Sequence, residues 1–132
     1  MACTLELLGS MRAILLTLSL LPYVYYGYKD NMYHFHGRKV SRIEHMLHLA
    51  IGIILITAIG NAYAGRQGVM IAGLLLFLAA GSLDEYWFHR DIPEVESDLH
   101  AKEHLGLMIF VVVSIATDLL EKNHWDFKHL LS

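Results

Sequence analysis

The residues whose types and spacing could do chemistry lie in two short blocks. The stretch Asp84–His104, DEYWFHRDIPEVESDLHAKEH, sets His89, His100 and His104 beside Glu85 and Glu103 between two apolar segments. A second block, SRIEHMLHLA from Ser41 to Ala50, supplies Glu44, His45 and His48. Imidazole and carboxylate crowded together are the ligands of divalent transition metals. At about 100° per residue, a helix through each block places His48 about 40° from Glu44, with His45 about 100° away; His89 about 40° from Glu85; and His104 about 40° from His100, with Glu103 about 60° on the other flank. Each helix thus offers a stripe with acid and imidazole one turn apart, the spacing at which both reach a common ion. The expected metal ligands are Glu44, His45, His48, Glu85, His89, His100, Glu103 and His104. A catalytic zinc takes about three protein ligands and a water, so eight are more than one zinc needs and two ions fit better. The mixed donor set suits iron, manganese or zinc. Asp84 and Asp98 are expected to orient ligand imidazoles from behind.

The elements that must position these groups are apolar. The chain is 132 residues and 55% hydrophobic, with a mean hydropathy of +0.43, where soluble domains hold nearer ~45–50% apolar residues. The runs Ala13–Tyr28, Leu49–Ala64, Gly68–Leu83 and Leu105–Leu120 carry almost no charge. Each gives about 24 Å of helix against a hydrocarbon core of roughly 30 Å, so polar flanks such as His48, Asp84, Glu85 and His104 must complete the crossing. Ionisable groups at such a depth are costly unless paired or metal-bound. The expected fold is an all-α integral membrane protein, four transmembrane helices in an up-down bundle with both ligand-bearing connections on one side. The expected spans are about 5–28, 42–64, 69–89 and 92–121 in a single domain covering 1–132, with 122–132 an interfacial tail. His124 and His129 then fall on the far side, which otherwise carries only isolated charges. Lys29, Arg38, Lys39, Arg42, Arg90 and Lys102 flank the ligand side against Arg12, Arg66, Lys122 and Lys128 on the other. The excess of basic residues predicts that the site faces the cytoplasm.

Smaller features set local expectations. Ser41-Arg-Ile-Glu44 has the capping-box pattern, a rival task for Glu44. Lys29–Val40 is expected to be a connection, in which His34 and His36 stand as an open question. Pro22 is expected to kink the first helix late, and Tyr23, Tyr25, Tyr26, Tyr28 and Tyr33 to form an aromatic belt at the membrane boundary. Asp91 reads as an N-cap with Pro93 in the first turn after it. Gly73 and Gly81 are expected to let helices approach closely. Cys3 alone excludes an internal disulfide and a cysteine-based metal site. A net charge of −3 without a basic tract argues against nucleic acid. With only Arg12 before the first run and no cleavage motif after it, that run reads as a retained span.

His100-Ala-Lys-Glu-His104 resembles the H-x-x-x-H box of the membrane fatty-acid hydroxylases and desaturases, and His45-Met-Leu-His48 resembles an H-x-x-H fragment of their later boxes. The pairing of Glu and His on several helices is similar to that of the di-iron carboxylate four-helix bundles. The chain departs from the first group in lacking an H-x-x-H-H box and in being much shorter. The resemblance implies a di-iron oxidoreductase that hydroxylates, desaturates or oxidises a lipid-like or hydrophobic substrate. With no flavin, haem or nicotinamide motif, such an enzyme needs a separate protein as electron donor. Two other readings stay open. One is a zinc-dependent membrane lipid hydrolase with Glu44 or Glu103 as general base. The other is a non-enzymatic metal- or haem-binding accessory membrane subunit. Self-association through small residues of the third helix is possible under any of them.

Overall fold

A computed structural model describes the backbone of residues 2–37, 39–88 and 93–130 and the side chains of 9–34, 36, 39–88 and 93–122. Four helices follow in order: α1 Ala2–Gly37, α2 Arg42–Tyr63, α3 Gln67–Phe88 and α4 Glu94–Leu130. They run up and down, with α1 lying along α4 and α2 along α3. Three stretches, Arg42–Tyr63, Gln67–Phe88 and Glu94–Lys122, are long and apolar enough to cross a membrane. In α1 the apolar run is diluted by Arg12 and the tyrosines.

The ends of the helices follow local chemistry. The capping box that opens α2 is formed in full: Ser41 Oγ accepts from the Glu44 amide at 3.2 Å, and Glu44 Oε2 accepts from the Ser41 amide at 3.3 Å. At the other end Gly65, with φ +71°, closes a tight stop in which the Arg66 amide donates to Asn61 O and the Gly65 amide to Ala62 O; only glycine takes that backbone conformation without strain. Pro93 precedes α4, and its carbonyl accepts from the Ser97 amide at 3.0 Å. Asp91, expected as the cap, lies outside the described residues.

Two boundaries differ from expectation. Lys29–Gly37 is helix rather than a connection. No proline or glycine interrupts Lys29–His36, and Asp30, Tyr33 and His34 turn inward at helical spacing while Lys29, Asn31, Met32 and His36 stay exposed. The segment 122–130 continues α4 rather than forming a separate tail; it too holds no helix breaker. Pro22 sits inside α1 without ending it.

The core is narrow, made of Leu16, Leu55, Ala62, Met70, Phe77, Leu107 and Phe110. Two contacts set how closely the helices come. A Cβ on Gly106 of α4 would stand 2.6 Å from the Tyr23 amide nitrogen of α1, and one on Gly73 of α3 would meet Ala58 Cβ at 3.0 Å. Gly81 has nothing within 4 Å, so it is not a point of approach. The end away from the ligand blocks is clamped by polar contacts. Arg12 donates to Glu121 at 2.8 Å and to Ala62 O at 2.9 Å, and Gln67 donates to Ser114 across α3 and α4. The charges expected to stand isolated there are therefore partly paired.

Candidate metal centre

Four helices deliver side chains to one end of the bundle. His34 from α1 with Glu44 and His48 from α2 form one group, whose donor atoms lie within 4.8 Å of one another. His34 and Glu44 are buried, and the His34 and His48 rings lie 4.7 Å apart by their centroids. The buried Glu96 carboxylate of α4 sits 2.9 Å from His34 Nδ1, and Glu44 Oε1 lies 3.4 Å from His34 Nε2, so the ring stands between two buried carboxylates. Asp84 of α3, itself buried, accepts from His48 Nε2 at 2.8 Å. Glu44 performs the capping task foreseen for it through Oε2, while its Oε1 faces His34.

The second group, Asp30, His100 and Glu103, joins α1 to α4, again with donor atoms within 4.8 Å. His100 Nδ1 stands 3.3 Å from Asp30 Oδ2 and 3.9 Å from Glu103 Oε2, while its Nε2 is 3.8 Å from Glu85 Oε2 of α3. Asp30 Oδ1 is buried and has no hydrogen-bond donor among the described residues. A half-buried pair of carboxylates with one buried oxygen lacking a donor suits a cation better than it suits empty space.

Of the residues expected from sequence, the structure brings together Glu44 and His48 in the first group and His100 and Glu103 in the second. Glu85 reaches the edge of the second group, and His104 packs against His100 at a tilt of 52° with ring centroids 4.4 Å apart while remaining exposed. His45 lies on the exposed side of α2, a quarter turn from the Glu44–His48 stripe and outside both groups. Asp84 sits behind His48 as an orienting acid would. Asp98 does not: it is exposed and pairs with Lys102. His89 lies outside the described residues, as do the side chains of His124 and His129. His36 bonds the Met32 carbonyl of its own helix. Asp30 in the second group and Glu96 behind His34 were not foreseen, and His34, left as an open question, falls in the first group. The signal was present, because Asp30-x-x-x-His34 and Glu96-x-x-x-His100 repeat the acid–imidazole spacing already noted on α2.

The donor set of each group fits a divalent transition-metal ion. No protein-family model matches the chain, and comparison with curated proteins and with solved structures finds no match. The argument for function therefore stands on the chain's own residues.

Proposed function

We propose that this chain is an integral membrane metalloenzyme with a His/carboxylate centre for two metal ions, iron by preference, and that it oxidises a lipid-like or hydrophobic substrate. The observation that carries this reading is the arrival of His34, Glu44 and His48 within 4.8 Å of one another, and of Asp30, His100 and Glu103 likewise, from helices that otherwise present hydrocarbon to their surroundings. Ile14, Leu18, Ile53, Ile56, Leu75, Leu78, Met108 and Val112 all point outward, whereas Ser19, Ser114, Thr117 and Asp118 are buried. That inside-out distribution suits a lipid solvent. In a membrane, α1 serves as a fourth span, and the two ligand-bearing ends share one side, which the basic residues place toward the cytoplasm.

His34, Glu44 and His48 would hold one ion and Asp30, His100 and Glu103 the other. Iron bound there supplies one-electron redox steps and the activation of oxygen. The protein's own residues fix the imidazoles, Glu96 through His34 Nδ1 and Asp84 through His48 Nε2, and such partners tune the ligands they hold. A centre at the edge of the hydrocarbon admits an apolar substrate directly from the bilayer. Electrons come from a separate donor protein.

The test is elemental analysis of the full chain purified in mild detergent without added metal, followed by anaerobic loading with ferrous iron. About two irons per chain, and visible absorption that develops on admitting oxygen, are expected. Colourless zinc in fixed stoichiometry would replace this reading with the zinc hydrolase. A chain that binds no transition metal would end both.

A further inference from the structure

The register between α1 and α4 decides which donors share a level. Down α1 and up α4, contacts recur at steps of three or four residues on each helix. His34 meets Glu96 at 2.9 Å and Asp30 meets His100 at 3.3 Å. Gly27 then lies against Glu103, whose Oε1 would stand 3.1 Å from a Cβ on the glycine, and Tyr23 lies against Gly106, where the two backbones themselves meet. Such a row is the contact face of two antiparallel helices, since three or four residues return a helix to the same side. The crossing at Gly106 pins it, because sliding either helix by one residue would bring Leu105 or Leu107 against the Tyr23 backbone in place of the glycine.

That register divides the donors. On α2 the acid and imidazole one turn apart, Glu44 and His48, stay in one group, whereas on α1 Asp30 and His34 fall into different groups. The reason is the order of types along the row. Asp30 precedes His34 on α1 and Glu96 precedes His100 on α4, so in an antiparallel pair an acid meets an imidazole across the seam at each level. His34 then also reaches Glu44 of α2 at 3.4 Å, while His100 lies beside Asp30 and Glu103 one turn deeper in the bundle. Four residues along a helix are about 6 Å at 1.5 Å each. Two-metal sites that clamp one reacting group hold their ions about 3.5–4 Å apart. No described carboxylate belongs to both groups.

We infer that the two ions are held as a spaced, unbridged pair, one helical turn apart along the α1/α4 seam, each with its own ligand set. This rests on the proposed metal centre and goes beyond it by stating how the ions stand to each other. Separation makes them independent: emptying one set of donors leaves the other ion in place and its electronic environment unaltered. A bridged pair behaves in the opposite way, because each ion helps to hold its neighbour and their unpaired electrons couple through the shared ligand.

The experiment loads the metal-free full chain in detergent with cobalt(II), measures bound metal, and integrates the low-temperature electron paramagnetic resonance signal per bound cobalt. Two ions per chain are expected, each giving the full signal of an isolated high-spin ion. Asp30→Asn and, separately, His48→Gln should each halve the bound cobalt and leave the signal per cobalt unchanged. Glu103→Gln serves as the second variant of the deeper group, and far-UV circular dichroism of each variant separates lost ligands from lost helix. A wild-type signal per cobalt well below that of the single-ion variants, rising when either group is emptied, would show a coupled, bridged pair and overturn the inference while leaving a two-ion centre standing. Loss of both ions from one folded variant would overturn it too. A wild-type chain that takes up no cobalt would remove the centre itself.

Discussion

Replacing Gly106 with alanine tests whether the crossing of α1 and α4 sets the geometry of the proposed metal centre. The new Cβ would lie 2.6 Å from the Tyr23 amide nitrogen, 2.8 Å from its Cα and 2.9 Å from the Pro22 carbonyl carbon. Ordinary contacts between such atoms are about 3.5–4.0 Å, so the two backbones must part by about 1 Å. These are main-chain atoms and cannot swing aside as a flexible side chain can. Overpacking of this kind costs about 1–3 kcal/mol. Glu103 lies one turn from Gly106, and Asp30 about two turns from Tyr23, so the parting is passed to the Asp30/His100/Glu103 group, where metal–ligand distances tolerate only about 0.2 Å. An ion that needs the native spacing must then supply that strain from its own binding. Its affinity should fall by about five- to 150-fold, the same free energy expressed as a ratio. Thermal unfolding of the full chain in detergent, followed by far-UV circular dichroism, reads the first effect, and cobalt competition against a chelator reads the second. Gly52→Ala is the control: nothing lies within 4 Å of its Cβ position, and alanine's better helix propensity makes it neutral or more stable by up to about 1 kcal/mol. A Gly106→Ala chain as stable as wild type and as avid for metal would refute the argument.

Gly27→Ala should separate the site from the fold, because its Cβ would meet Glu103 Oε1 at 3.1 Å and displace a side chain rather than a backbone; metal affinity should drop while the unfolding temperature stays near that of wild type. Ser41→Ala removes the acceptor for the Glu44 amide and should cost about 1 kcal/mol, with Ser41→Asp restoring it, both read by thermal unfolding. Arg12→Met leaves Glu121 and the Ala62 carbonyl without the guanidinium that binds both and should cost about 1–3 kcal/mol. Lys122→Ala, on an exposed pair with Asp118, should stay within about 0.5 kcal/mol of wild type. Lowering the pH from 7 to 5 should release bound metal, since protons compete for the same imidazole and carboxylate lone pairs; a metal content that does not change across this range would argue against histidine ligation.

Most of the architecture was legible in the chain because the apolar runs are long and the breakers are few. Ser41 with Glu44 fixed the start of α2, and Gly65 with its polar neighbours fixed the stop. What misled was the polarity of Lys29–His36. A charged stretch after an apolar run reads as a connection by composition, yet it holds no helix breaker, and its inward residues are polar because they face other polar groups rather than a core. Asp30 was hidden by that misreading, and His34 was left an open question by it. Glu96 was hidden for a different reason, standing one turn before His100 in a region already crowded with acids, where spacing alone does not rank one carboxylate above another. His45 shows the opposite error: its residue type fits, but a quarter turn on a helix outweighs adjacency in sequence.

The arrangement has a further consequence for how the chain holds together. The apolar core is thin, and the large side chains that a soluble bundle would bury point outward instead. In hydrocarbon, outward leucine and isoleucine contribute little to holding helices to one another, so packing, small-residue crossings and polar contacts must do it. Gly106 against Tyr23 serves α1 with α4, and Gly73 against Ala58 serves α2 with α3. Between the two pairs lie the narrow apolar core and a set of polar contacts. Arg12 on Ala62 O, Thr17 with Tyr63 and Gln67 on Ser114 join them at one end. His34 with Glu44, and His100 with Glu85, join them at the other. The same side chains that could hold metal are therefore among those that couple the pairs, and a metal ion held by His34 and Glu44 would add a bond between α1 and α2. Binding energy at that point is then also folding energy, which ties the chemistry of the centre to the integrity of the bundle around it.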